Sequence, residues 1–456
     1  MKRIIIPLLI IISVSCQKQS EWLDEKSSIS DVIPKTLKDF QTILDNAEQL
    51  NSDYPGMPVI SSDNYYVLYS IWQTREENER TAYIWADELI YPNGTSQDWN
   101  NSYRKVAYAN IILEGISAIE QTATNQIVYN KIKGAGLFFR ALSFFDLALE
   151  FCLPYSDKAA SDLGIPLRLT GDVNEKSVRS TLKQTYDQII ADLVAAEQLL
   201  PANDNLVTRP TKAAAQALLA RIFLSIADYA KAEEYALKVK SGNSNLLNFN
   251  AVSATPAFPF PKFPAINSEM IFYSSVLQYG IFNNARLLIE QSFYNQYGGN
   301  DLRRTLFFAD NGANGIRFRG YYTGSSGSLF TGLATNEIYL ILAECAARRG
   351  DIKTALSNLN DLLVNRWKTG SFIPLTAATS SEALQKILVE RRKELPLTNT
   401  IRWQDLRRLN KEPQFATTLS RTLNGQQYTL PPNHAKYVFP IPEQELRING
   451  IQQNPR

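Results

Sequence analysis

Apolar and polar positions follow helical spacing over most of this chain. In Leu37-Lys38-Asp39-Phe40-Gln41-Thr42-Ile43-Leu44 the apolar residues recur three or four positions apart, the signature of an amphipathic helix. The same spacing predicts helices over residues 99–119, 129–151, 181–200 and 211–227. It fails from 52 to 98, where Pro, Gly, Asn and a dense set of rings replace it. A second long interruption runs from 243 to 333. Both are too long to be simple connectors, and long loops in compact domains commonly carry function.

Two distant segments share a pattern. Ala220-Arg221-Ile222-Phe223-Leu224-Ser225-Ile226-Ala227-Asp228-Tyr229-Ala230-Lys231-Ala232 corresponds to residues 343–355, with Ala343, Gly350-Asp351 and Ala355 at matching places. Each has an alanine-rich helix, a tight turn at Asp, and a second helix opening on small residues. That is the logic of a tetratricopeptide unit. The copies do not recur at a contiguous period of about 34 residues, which argues against a plain solenoid. The expected fold is therefore all-α: tetratricopeptide-like helix pairs in a single domain over 31–456, with irregular insertions at 52–98 and 243–333.

The first residues read as a targeting segment. Met1-Lys2-Arg3 is positive, residues 4–12 are apolar, and Ser13-Val14-Ser15 places small residues before Cys16. The apolar run is far shorter than the roughly 20 residues needed to span a bilayer. Residues 1–15 are thus expected to be a signal peptide, and 16–30 a polar, extended linker. A cysteine at the cut resembles a bacterial lipoprotein signal, although Ser13 stands where that motif prefers Leu. Acylation at Cys16 would hold the chain to a membrane, each buried methylene contributing about 0.8 kcal/mol.

Composition narrows the chemistry. The chain has 456 residues, 45% of them hydrophobic, enough for a large core. Its net charge of +2 equals the contribution of Lys2 and Arg3, and the remainder is balanced. Such a body has no electrostatic footprint for nucleic acid, and a polyphosphate or heparin-like partner is disfavoured for the same reason. The single histidine, His434, leaves little material for a nucleophile–base pair and reads as a surface loop residue. Cys152 and Cys345 lie in apolar helical stretches and read as buried thiols, while a disulfide between them is compatible with an oxidising compartment. Neither a metal nor a cofactor is expected. Asp310-Asn311-Gly312-Ala313-Asn314-Gly315 has Gly312 where a calcium loop needs an oxygen ligand, and reads as a turn. Asp63, Glu76, Glu77, Asp87 and Asp98 keep a glycosidase carboxylate pair open.

Across nearly its whole length the chain resembles a known family. The landmarks begin with Trp22-Leu23-Asp24-Glu25-Lys26, Tyr103-Arg104-Lys105-Val106-Ala107-Tyr108-Ala109-Asn110 and Gly134-Ala135-Gly136-Leu137-Phe138-Phe139-Arg140-Ala141. Arg209-Pro210-Thr211-Lys212-Ala213-Ala214-Ala215 and Tyr229-Ala230-Lys231-Ala232-Glu233-Glu234-Tyr235 follow. Then come Glu390-Arg391-Arg392-Lys393-Glu394-Leu395, Arg402-Trp403-Gln404-Asp405-Leu406-Arg407-Arg408, Phe439-Pro440-Ile441-Pro442 and Gln453-Asn454-Pro455. In order and coverage these are similar to the SusD/RagB family, nutrient-binding outer-membrane lipoproteins of Bacteroidetes. One departure is Thr398-Asn399-Thr400-Ile401, where family members often carry Glu-Gly.

The resemblance implies helix pairs beneath an irregular ligand-facing region. It also implies a cell-surface, lipid-anchored protein that is not an enzyme. Such a protein captures an oligosaccharide and delivers it to a TonB-dependent, SusC-like barrel transporter. Peptide capture is the alternative within the family; a glycoside hydrolase and a purely structural scaffold are the readings outside it.

The ligand site is expected to be an aromatic platform built from the two insertions, because a sugar's C–H face stacks on a ring while its hydroxyls bond polar neighbours. The first insertion offers Tyr65, Tyr66, Tyr69, Trp72 and Trp85, the second Tyr279, Tyr321 and Tyr322. Asn64, Gln73, Arg75 and Asn283 are the polar partners. Each ring has a second reading as core, since aromatics dominate packing.

Overall fold

A computed structural model describes residues 34–88, 91–172, 174–283, 285–398 and 400–455. The expected signal peptide, linker and Cys16 lie outside them. Ten helices form the frame: α1 (Leu37–Leu44), α2 (Gln97–Ser117), α3 (Gln126–Phe151), α4 (Leu182–Leu199), α5 (Lys212–Ser225), α6 (Tyr229–Gly242), α7 (Thr335–Arg348), α8 (Ile352–Leu363), α9 (Ser380–Glu394) and α10 (Ile401–Leu409). Polar side chains start most of them. Ser96, Thr211 and Thr379 each accept a first-turn N–H, and Thr181 forms a capping box with Gln184.

Helix α3 is central. Its residues are buried on every side from Gly134 to Phe151, as expected of a helix hydrophobic all round. It packs between α2 and α4, and its glycines set the spacing. A Cβ on Gly136 would meet Leu113 of α2 at 3.3 Å, and one on Gly134 would meet Leu199 of α4 at 3.1 Å. Arg140 of α3 then clamps Asp192 of α4 through two bonds of 2.7 and 2.8 Å and reaches Asn110 of α2 at 3.1 Å.

The repeated segments form two helical hairpins, α5–α6 and α7–α8, joined where α6 packs on α7. Their turns match bond for bond. Asp228 N–H donates to Phe223 and Asp351 N–H to Ala346, both at 2.9 Å, and both carboxylates then cap the next helix. The left-handed turn position is Gly350 in one copy and Ala227, at φ 63°, in the other.

The insertions are more regular than their composition suggests. Short helices Met57–Ser61, Tyr69–Trp72 and Glu77–Tyr83 occupy the first. Outside both insertions, β1 (Leu163–Pro166) and β2 (Arg179–Thr181) form a small ladder between α3 and α4. In the second, β3 (Met270–Phe272) pairs with β7 (Leu333–Ala334). There β4 (Leu288–Ile289), β5 (Phe308–Asp310) and β6 (Ile316–Phe318) form a sheet ordered β4-β6-β5. The hairpin β8 (Leu419–Leu423) and β9 (Gln426–Leu430) follows α10. Long-range burial, not local periodicity, holds the first of these short helices: Met57–Ser61 is buried at every position.

Cys152 and Cys345 are free and buried, so the two thiols do not pair. Burial pushes the Cys152 thiol up to about 11 and that of Cys345 higher still. Among the described residues no helix is long and apolar enough to cross a membrane.

Candidate functional site

Buried carboxylates of the first insertion stitch it to the second. Glu79 accepts the N–H groups of Gly280 and Ile281 at 2.9 and 3.1 Å. Asp98 accepts those of Gly56 and Met57, and the Tyr279 hydroxyl donates to it at 2.8 Å. Tyr66 exchanges backbone bonds with Leu288 at the edge of the β4-β6-β5 sheet. A Cβ on Gly56 would strike the Tyr279 ring at 2.7 Å, so this position needs a glycine for close approach.

A cavity of about 540 Å³ opens along this seam, within the range of small-molecule sites. Arg75, Asn78, Glu79, Gln97, Gln278 and Tyr279 supply most of its polar wall. Arg75 donates to the Ile71 carbonyl and the Thr74 hydroxyl, and makes no salt bridge among the described residues. On the same segment, Tyr69 and Trp72 stack with centroids 5.8 Å apart and planes 24° off parallel. Tyr69 is 40% exposed and Trp72 half-buried. The Trp72 indole donates to Arg80 O at 3.1 Å, and the Arg80 guanidinium lies 5.8 Å from its ring. Ring faces and a polar cavity thus share one short stretch of chain.

The other expected site residues are scattered. Tyr65 and Trp85, only 2% and 3% exposed, do not offer the open faces expected of a platform. With Tyr83 they surround Arg421 of β8, whose guanidinium sits 3.6 Å from the Tyr83 ring and 4.7 Å from that of Trp85. Arg421 also donates to the carbonyls of Ile60, Ser62 and Tyr83, so the cage already holds a cation of this chain. Asn64 is buried beside them. Tyr321 is buried against Phe258 and Phe318, and Tyr279, on the cavity wall, is only 7% exposed. Tyr322 is half-buried, its hydroxyl on Glu269 and its ring 4.6 Å from Phe260. Tyr66 is half-buried and Asn283 and Gln73 exposed.

Three of the carboxylates held open for a glycosidase pair, Asp63, Asp98 and Asp87, are occupied by the chain's own donors. Asp63 accepts from Arg392 and Arg402, and their charges hold its carboxyl below the usual range against the effect of burial. Asp98 is the buried anchor described above. Glu76 and Glu77 are exposed, and Asp87 pairs with Lys436 at 2.6 Å. The Asp310–Gly315 stretch is a turn between β5 and β6, with Gly315 at φ 86°. His434 is exposed, its Nδ1 accepting from Lys436 N–H. Sequence reasoning missed Asn78, Glu79, Gln97 and Gln278. The one local signal was Gly280, where a Cβ would lie 2.6 Å from Arg75 Nη1.

Behind the Tyr279 anchor lies an acidic core. Burial raises the carboxyls of Asp98, Glu150 and Asp146, the last to about 7 despite the opposing charges of Arg221 and Lys105. The fold therefore keeps a proton on Asp146 that the unfolded chain releases above about pH 4. That stability is fully present below pH 4 and is lost as pH rises through about 7. Asp146→Asn is expected to remove about 1.4 kcal/mol per pH unit from this slope. Urea midpoints between pH 4.5 and 7.5 measure it, and an unchanged pH profile in the variant would disprove the assignment.

Comparison with known proteins agrees with the fold. The profile of a family described as "Starch-binding associating with outer membrane", SusD-like, matches residues 21–224, and that of the SusD family matches 333–456. SusD-like protein P2 of Formosa agariphila is 24% identical over 78% of this chain and 79% of its own. A putative sugar binding protein from Bacteroides vulgatus superposes with a TM-score of 0.75 at 21% identity, over 93% of this chain and 99% of that one. A SusD superfamily protein from Bacteroides thetaiotaomicron gives 0.74 at 23%, over 92% and 100%. Those structures share the fold from end to end, and with related profiles matching either side of the second insertion, this chain belongs to the SusD/RagB family.

Proposed function

We propose that the protein is a cell-surface binding lipoprotein that captures an oligosaccharide and delivers it to a SusC-like, TonB-dependent transporter. The observation that carries this reading is the stacked Tyr69–Trp72 pair on the segment that runs on into the wall of a cavity lined by amides, Arg75 and Glu79. An apolar ring face next to convergent polar groups suits a sugar, which presents C–H faces and hydroxyls together. The family's description as starch-binding at the outer membrane supports the ligand class and the location. Family members are binding proteins, and no catalytic step is assigned to this site. Anchoring through Cys16 completes the proposal.

The test is calorimetric titration with a panel of oligosaccharides. Trp72→Ala is expected to cost about 2 kcal/mol, roughly thirty-fold in affinity. Its melting temperature should fall much less than that of a core variant, because the ring is only half-buried. An unaltered affinity in Trp72→Ala would move the site elsewhere. Binding of peptides but of no glycan would assign the alternative ligand class.

A further inference from the structure

A second cavity, of about 440 Å³, lies against the same helix start that walls the seam cavity. Gln97 lines the seam cavity, while Trp99, Asn100, Tyr103 and Arg104 line the second. Residues three or four positions apart share a helix face, so Gln97, Asn100 and Arg104 form one row along α2 from the first cavity to the second. All three are exposed, and none makes a side-chain hydrogen bond or ion pair among the described residues. The cavities share another wall as well. Pro92 and Asn93 line the first, and a Cβ on the adjoining Gly94 would touch Glu443 at 3.4 Å. Glu443 opens the last helix, Glu443–Asn449, which brings Glu445 to the second cavity.

The second cavity has the mixed chemistry of the first. Tyr103 is half-buried and its hydroxyl donates to Pro166 O at 2.8 Å, so what it leaves for a ligand is its ring. Trp99, only 3% exposed, backs that ring with centroids 4.8 Å apart. Arg104 supplies donors, and the Asn100 amide supplies both donors and an acceptor. Glu445 supplies a carboxylate, one oxygen of which accepts from the Asn449 amide at 2.8 Å. Arg168 also stands on the wall, but it donates to the carbonyls of Asp172 and Glu175 and faces the Glu175 carboxylate at 3.9 Å. Arg104 and Glu445 then leave one charge of each sign. A balanced wall of ring, donors and acceptors suits hydroxyls and C–H faces better than an ion.

We infer that an oligosaccharide bound in the seam cavity continues along Gln97, Asn100 and Arg104 into this second cavity, so that the protein selects for chain length. The inference rests on the glycan reading and extends it from one cavity to a track.

Malto-, cello-, xylo- and laminari-oligosaccharides, each from disaccharide to octasaccharide, are titrated into the intact protein by calorimetry. In the series that binds, affinity is expected to rise at least about ten-fold from the shortest to the longest member. That gain should shrink about three- to ten-fold in Asn100→Ala and in Arg104→Met, each of which removes hydrogen bonds to the longer ligand. Both side chains are exposed and unbonded, so the variants should melt with the parent. Trp72→Ala, by contrast, should weaken every member that binds. If no member of any series binds, the glycan reading and its extension fall together. Binding with no gain in length, or a gain unaltered in both α2 variants, would overturn the extension and leave the glycan reading standing.

Discussion

Arg366→Met is expected to lower the unfolding free energy by about 3–5 kcal/mol, the usual consequence of removing one partner of a buried ion pair. Arg366 is fully buried on the segment after α8. It donates to Glu269 at 2.6 Å, to Glu394 at 2.9 Å and to the Leu247 carbonyl at 2.7 Å, and its guanidinium lies 4.1 Å from the Phe249 ring. Glu269 opens β3 in the second insertion and Glu394 ends α9, so one guanidinium ties the insertion to the helical frame. Without it, two carboxylates stay buried with fewer donors. Burial already raises Glu269 and the Arg366 charge opposes that rise, so in the variant Glu269 would take up a proton on folding. Denaturant unfolding measures the loss. Adding Glu269→Gln to Arg366→Met should recover part of it, because it removes one stranded charge. A loss under about 1 kcal/mol for Arg366→Met would show that the network is not stabilising as argued.

Trp85→Ala is expected to cost about 3–5 kcal/mol of stability, as large-to-small changes at buried aromatics do. The indole donates to Ser61 O at 2.9 Å and forms one wall of the cage around Arg421. Trp85 also sits at φ 52°, a left-handed conformation that a bulky residue holds only under tight packing. Removing the ring opens a void beside a buried cation and loosens Tyr65 and Tyr83 with it. Glycan affinity of the folded fraction is expected to stay within about two-fold, in contrast to Trp72→Ala. Melting curves, with titration well below the transition, separate the two effects. Unchanged melting with affinity down more than about ten-fold would mean that Trp85 meets ligand after all.

These variants mark the boundary between local and long-range information. Helices α2 to α6 were legible as 3.6-residue periods, all but α3 with a Ser, Thr or Asp cap at the start, because capping and amphipathicity act within a few residues. The two hairpins were legible for the same reason: Asp228 and Asp351 cap their helices through bonds spanning three residues. Glu390-Arg391-Arg392-Lys393-Glu394-Leu395 was recognisable as a motif, but its role was not. Its charges meet Arg303, Asp405, Glu337, Asp63 and Arg366, brought together only by the packed fold. The rings of the first insertion show the limit most clearly. Tyr65, Trp85, Tyr69 and Trp72 look alike in sequence, since the same apolar face serves a core or a sugar. What separates them is Arg421, far along the chain, which fills the cage of the first pair and leaves the second stacked at the surface. Local periodicity determined which segments are helical. Which aromatic faces stay open was decided by tertiary packing, because burial depends on partners hundreds of residues away.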